Sequence, residues 1–171
     1  NRTASLDLAL SAVRSLGRQF VEGHAAMHHP FGFQLSPRGD HFLGEIICPC
    51  DGPAEMGRAM DVLIALDMVY LNAHRNEKPL YRSGVRYDDP GVLAWYTTPI
   101  LYNKGKGDCK SLTGARVAEL RVTGEDPGAK AHFKQVTRRM WHVLVKRGDG
   151  SLEDPSAKLG MYEVLKRKRV G

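Results

Sequence analysis

The sequence predicts an α+β fold in which helices pack on an antiparallel β-sheet. Two segments, 54–75 and 110–122, repeat apolar residues at helical spacing. Three later segments, 129–138, 141–146 and 151–155, are extended and are separated by turn signals. Because 171 residues suit one domain, and because 42% of them are hydrophobic and 26% charged, we expect residues 1–171 to form a single globular domain.

The first fifty residues give the weakest pattern. Apolar residues recur at steps of three or four over 4–22, which predicts an amphipathic helix. Residues 23–41 show no period and contain Gly, Pro and His, so we expect a loop there. An apolar run at 42–50 predicts a strand. We treat residues 1–50 as an N-terminal extension whose role the sequence does not define.

A long helix at 54–75 is predicted after a sharp break in the chain. Pro53 suits the first helical turn, and Asp51 is a candidate cap. We expect this helix to pack against the later helix at 110–122. Between the two helices, alternation at 81–87 predicts an edge strand, and 91–108 reads as a loop with one helical turn.

The stretch before the second helix places a thiol at a helix N-terminus. Asp108 is a favoured N-cap residue, Cys109 then falls in the first turn, and Gly124 is a favoured stop. The positive end of a helix dipole favours a thiolate over a thiol. We therefore expect Cys109 to have a lowered pKa and to act as a nucleophile.

A base for this nucleophile is predicted in the extended region that follows. If residues 148–150 form a three-residue loop, facing residues have numbers that sum to 298, and His142 lies diagonal to Asp154 on one face. A two-residue Asp-Gly turn would place the two side chains on opposite faces. His132 is a rival base, but the strand that follows it has no well-placed carboxylate.

The order of these pieces resembles the transglutaminase-like superfamily of cysteine enzymes, which have a papain-like fold. The resemblance is carried by Gly-Lys-Gly-Asp-Cys at 105–109, Trp-His-Val at 141–143 and Asp-Gly-Ser-Leu-Glu-Asp-Pro at 149–155. It covers roughly residues 80–161. Three further segments are similar to small transglutaminase-like proteins of tailed bacteriophages, namely 80–87, 119–121 and 159–161.

The resemblance implies a cysteine peptidase or amidase with a triad of Cys109, His142 and Asp154. It also implies a protein or peptide substrate and a phage or virion association, with host cytoplasm or virion as the location. A backbone N–H of Cys109 would be one oxyanion donor, and we place Trp95 and Asp108 at the same cleft. Two alternatives stay open: a structural virion or assembly protein that retains the fold, and a cross-linking transglutaminase. Phage structural proteins and a second copy of the chain are possible partners.

The basic charge balance of the chain predicts anionic partners only mildly. The net charge is +6, and a basic cluster lies near the end of the chain, at Lys166, Arg167, Lys168 and Arg169. A solvated terminal face explains this cluster better than a nucleic-acid site does. No apolar run spans a bilayer and no signal peptide is visible, so we expect no membrane association.

The cysteine and histidine content predicts reduced thiols rather than a disulfide scaffold or a metal centre. Three cysteines are an odd number, which is typical of a reducing compartment. Cys48 and Cys50 are separated by one residue rather than by the usual two of a zinc knuckle. We therefore predict separate structural roles, no metal and no cofactor for a set of residues that includes His24, His28, His29, Cys48 and Cys50.

Overall fold

The computed structural model describes residues 32–38, 41–47, 52–89, 94–138 and 140–170. The predicted mixture of helices and strands is confirmed over these ranges. The helix expected at 4–22 lies outside the described residues. None of the helices in the described ranges has both the length and the apolar character needed to cross a membrane.

The helices in the described ranges differ widely in length. They are α1 (Pro53–Ala73), α2 (Thr98–Lys104), α3 (Cys109–Thr123), α4 (Pro155–Lys158) and α5 (Met161–Val170), with one 3-10 turn at Leu80–Arg82. The strands are β1 (Gly32–Arg38), β2 (His41–Ile47), β3 (Arg86–Tyr87), β4 (Ala94–Tyr96), β5 (Lys106–Gly107), β6 (Lys130–Thr137), β7 (Met140–Lys146) and β8 (Leu152–Glu153).

The strands form three small sheets. Two are antiparallel, with strand orders β1-β2-β4 and β6-β7-β8, and the third is a parallel pair of β3 and β5. The loop expected over 23–41 is wrong for Gly32–Arg38, which pairs residue by residue with β2. A strand at an edge needs only a partner to supply its hydrogen bonds, so absence of a period does not exclude it.

Close packing of α1 on α3 confirms the predicted contact between the two long helices. Leu63 of α1 is fully buried, and its Cδ2 lies 2.6 Å from the position that a Cβ on Gly114 of α3 would take. Only a glycine lets the two helices approach this closely. The main core forms along this contact and against β7, where Val143 and Val145 are buried.

The shorter connections differ from the sequence expectation in detail. The edge strand expected at 81–87 is reduced to β3, after a 3-10 turn. The loop expected at 91–108 contains the seven-residue helix α2 between two short strands. Gly52, rather than Asp51, is the N-cap of α1, and Pro53 occupies its first turn as predicted.

Candidate active site

The N-terminus of α3 is built by a capping carboxylate and a left-handed glycine. Asp108 Oδ1 accepts hydrogen bonds from the backbone N–H groups of Lys110 and Ser111, both at 3.2 Å. Gly105, at φ 66°, ends α2 and turns the chain into this cap. Asp108 is therefore the N-cap and Cys109 the first residue of α3, as the sequence predicted. Gly124, at φ 75°, ends the helix, also as predicted.

The first two turns of α3 lie along the part of β7 that β8 leaves uncovered. β8 pairs only with Val145 and Lys146 of β7. At the next inward position, Thr113 Oγ1 donates a hydrogen bond of 3.1 Å to the Val143 carbonyl. The backbone N–H of Val143 faces the Cys109 thiol and lowers its pKa. Cys109 and Thr113 are one turn apart on the same helix face, so the sulfur lies beside the residue that follows His142.

His142 and Asp154 form a direct pair across the hairpin. His142 Nε2 lies 2.9 Å from Asp154 Oδ2, with side-chain exposures of 17% and 24%. The observed pair Val145–Glu153 confirms the predicted register, because 145 and 153 sum to 298. The other carboxylate oxygen of Asp154 accepts the backbone N–H of Ala157 at 3.0 Å and caps α4. The carboxylate is thus held from both sides.

The expected lowering of the Cys109 pKa is wrong. Burial and, to a smaller extent, the neighbouring Asp108 carboxylate raise the pKa of this thiol to about 11, although Lys110 opposes both effects. Asp154 also disfavours the thiolate. The helix dipole is a local effect, whereas removal of the sulfur from water depends on packing against β7. The Cys109 side chain is therefore a neutral thiol at pH 7.

The side chains of Trp95 and Asp108, which the sequence placed at the cleft, are engaged in other interactions. Trp95 is 2% exposed and lies in the main core, so its side chain does not line an open cleft. Asp108 is 6% exposed, and its carboxylate caps α3 and forms an ion pair with Lys110. A carboxylate accepts hydrogen bonds and does not stabilise an oxyanion. The backbone N–H of Cys109 is not bound by the cap, because the Asp108 carboxylate accepts hydrogen bonds from the next two backbone amides, those of Lys110 and Ser111.

Tyr87 and Glu153 were missed by sequence reasoning. Tyr87 faces Gly107 in the β3–β5 pair, and its phenol has a raised pKa because of burial and because of the nearby Cys109 and aspartates. Glu153 receives hydrogen bonds from three separate elements. The β3–β5 pairing and these hydrogen bonds join residues far apart in sequence, so no local signal marks either residue.

His132 lies in the same sheet but in a different setting. It faces Leu144 across the β6–β7 pair, and β7 is the central strand. Asp154 is hydrogen-bonded to His142 and not to His132. The contact with Asp154 agrees with the preference for His142 over His132, whose role as a base stays a prediction.

The metal-ligand candidates and the basic cluster form no second site among the residues that the structure describes. Within the described part of the chain, no group of three or more His, Cys, Asp or Glu side chains is arranged to hold a metal ion. The five residues weighed as metal ligands from the sequence lie outside it. The basic cluster is exposed on α5, where Lys168 Nζ donates a hydrogen bond of 2.8 Å to the Asp89 carbonyl.

The triad candidates thus come from α3, β7 and the start of α4, and α3 packs directly on each of the other two elements. Searches against protein-family models, curated proteins and solved structures each found no match to this chain.

Proposed function

We propose that the chain is a cysteine peptidase or amidase of the transglutaminase-like type, with a papain-like core. The observation that carries the proposal is the 2.9 Å contact between His142 Nε2 and Asp154 Oδ2, next to the α3 N-terminus that bears Cys109. A carboxylate on one ring nitrogen fixes the imidazole and leaves its other nitrogen to serve the thiol. The phage resemblance favours a virion-associated or assembly-related substrate, in the host cytoplasm or the virion.

The first chemical step follows from the neutral state of the thiol. His142 Nδ1 accepts the proton of Cys109 as the sulfur attacks an amide carbonyl and a sulfur–carbon bond forms. The carbonyl electron pair moves to oxygen, where the free amide at the start of α3 stabilises the charge. Asp154 stabilises the imidazolium that results. No thiolate–imidazolium pair needs to exist before the substrate binds, which agrees with the raised pKa of Cys109.

The second step releases the amine and leaves an acyl-thioenzyme. The imidazolium gives its proton to the leaving nitrogen as the carbon–nitrogen bond breaks. Water, deprotonated by His142, then attacks the thioester to give a carboxylic acid and the free thiol. A primary amine in place of water would give a new amide, so amine transfer follows the same steps and differs only in the acceptor.

A structural assembly protein that retains this arrangement is the second candidate. The observation that favours it is the packing of the partly buried Cys109 against the main core, because a cysteine that serves only as a small hydrophobic residue is placed in the same way. The two candidates differ in whether acyl transfer occurs at all.

The proposal is tested with a synthetic peptide mixture and Cys109→Ala. The wild-type chain is expected to generate new peptide termini at a rate at least about 10³-fold above the variant, because the nucleophile is lost. Cys50→Ser serves as the control for thiol loss elsewhere and is expected to keep its activity. An added primary amine, followed by mass, separates hydrolysis from transfer. Equal rates for wild type and Cys109→Ala would contradict the proposal and favour the structural candidate.

A further inference from the structure

The carboxylate of Glu153 is the meeting point of an ion-pair cluster next to the candidate triad. It accepts hydrogen bonds from Arg116 Nε at 2.8 Å, from Arg147 Nη1 at 2.8 Å and from the Tyr81 hydroxyl. Lys158 Nζ approaches at 3.7 Å. We name Tyr81, Arg116, Arg147 and Glu153 the Glu153 cluster.

Three members of the Glu153 cluster lie on, or directly beside, an element that carries a triad residue. Arg116 lies on α3, two turns after Cys109. Arg147 directly follows β7, the strand of His142, and Glu153 ends β8 immediately before Asp154. A single carboxylate therefore ties the nucleophile helix, the strand of the base and the segment of its orienting carboxylate.

The ion pair at the centre of the cluster is largely withdrawn from water, and each arginine has a second acidic partner. The side chains of Arg116 and Glu153 are 9% and 10% exposed. Arg116 also pairs with Glu119 at 2.6 Å, and Arg147 with Asp126 at 2.8 Å. Although burial opposes it, the hydrogen bonds from Arg116 and Tyr81 lower the pKa of Glu153 to about 2. The carboxylate thus stays charged throughout the neutral range.

Strand pairing alone gives Asp154 little support. β8 forms only two residue pairs with β7, and the last of them is Val145–Glu153. Asp154 lies one residue beyond that pair, where the backbone ladder has ended. The side chain of Glu153 continues the attachment by binding α3 and the end of β7 directly.

We propose that Glu153 is a positioning residue that holds Asp154, and through it His142, in register with Cys109. This inference rests on the proposed function. Its consequence is that removing the charge of Glu153 impairs the base without touching the thiol or the imidazole. A misplacement of about 1 Å in such a constellation costs up to about a hundredfold in rate.

The test is a double-mutant cycle read by alkylation of Cys109 with iodoacetamide, followed by peptide mass. Glu153→Gln keeps the shape of the side chain and removes its charge, and we expect alkylation at pH 7.5 to slow by about tenfold. In a His142→Ala background the same substitution is expected to add no further slowing, because its effect acts through the imidazole. Glu163→Gln, which removes an exposed glutamate of α5, is the matched control and is expected to leave the rate unchanged.

The outcomes separate this inference from the function it rests on. Equal slowing by Glu153→Gln in both backgrounds, or no slowing in either, would overturn the positioning role while leaving the triad intact. An unchanged rate in His142→Ala alone would overturn the triad and the inference together. If Glu153→Gln does not fold, Tyr81→Phe removes one hydrogen bond to the same carboxylate. A two- to threefold slowing by Tyr81→Phe in the wild-type background, with none in the His142→Ala background, then supports the inference. Equal slowing in the two backgrounds overturns it.

Discussion

Two carboxylates that lie next to α3, Asp67 and Glu153, differ in how their charge is compensated. Asp67 of α1 is fully buried, and only one of its oxygens is bound, by the Thr98 backbone N–H at 2.5 Å. Its Oδ2 has no hydrogen-bond partner among the residues that the structure describes. Glu153 is partly buried, with a side chain that is 10% exposed, and it is bound by two guanidinium groups and a phenol.

The two pKa values follow from burial together with the hydrogen-bond partners of each carboxylate. Burial raises the pKa of Asp67 to about 7, because a single amide hydrogen bond and the nearby Thr98 hydroxyl do not offset desolvation. Glu153 has a pKa lowered to about 2. Cys109 resembles Asp67 in having a raised pKa, because the nearby Lys110 is already paired with Asp108. The thiol consequently needs a base to become a nucleophile.

The largest expected effect comes from removing a charged partner of Glu153, the carboxylate whose charge is compensated. Arg116→Met should lower the free energy of unfolding by about 3 kcal/mol, because it leaves Glu153 and Glu119 charged and buried without their main partner. Lys158→Met is the matched control, since Lys158 contacts the same Glu153 oxygen but is 54% exposed. We expect it to change stability by at most about 0.5 kcal/mol.

Urea denaturation at pH 7 measures both variants. Similar losses for Arg116→Met and Lys158→Met would contradict the view that buried partners stabilise the Glu153 charge. A negligible loss for Arg116→Met would show that the cluster adds nothing to folding beyond packing.

A comparable but pH-dependent change in the free energy of unfolding is expected for Asp67, the carboxylate whose charge is not compensated. The folded protein keeps the proton of Asp67 up to about pH 7, whereas the unfolded chain loses it near 3.8. Wild-type stability therefore falls as pH rises through this window. Asp67→Asn does not titrate, so its stability relative to wild type should rise between pH 4 and pH 7, on the order of 3 kcal/mol in total. Above about pH 8 the difference should be constant.

Asp149→Asn provides a control of opposite sign. Asp149 is exposed, and hydrogen bonds from Ser151 lower its pKa. Its charge stabilises the fold above the unfolded pKa, so this variant should lose stability relative to wild type as pH rises from acid to neutral. Equal pH profiles for Asp67→Asn and wild type would show that Asp67 is not held protonated in the folded chain.

The sequence predicted those parts of the site that depend on neighbouring residues. The Asp108 cap, the α3 helix and its stop at Gly124 follow from local backbone preferences. The contact between His142 and Asp154 follows from the length of one loop, because a three-residue turn fixes the register of the whole hairpin. The catalytic role of these residues stays a prediction.

Features set by packing between distant segments were missed or wrong. The strand β1 forms only because β2 supplies its partner, and Trp95 is directed into the core by the packing around it. The Cys109 pKa was predicted from the helix dipole alone, whereas burial against β7 controls it. The Glu153 cluster joins positions 81, 116, 147 and 153, and no sequence pattern connects charges at such separations.

The most direct test of the account is the pH dependence of Cys109 alkylation in wild type and in His142→Ala. Peptide mass identifies Cys109 separately from Cys48 and Cys50. We expect wild-type Cys109 to react well below pH 11 through the assistance of the imidazole, and this reactivity to disappear in the variant, which should react only as its own thiol ionises. Superimposable profiles would contradict the account, because they would show that His142 does not serve the sulfur.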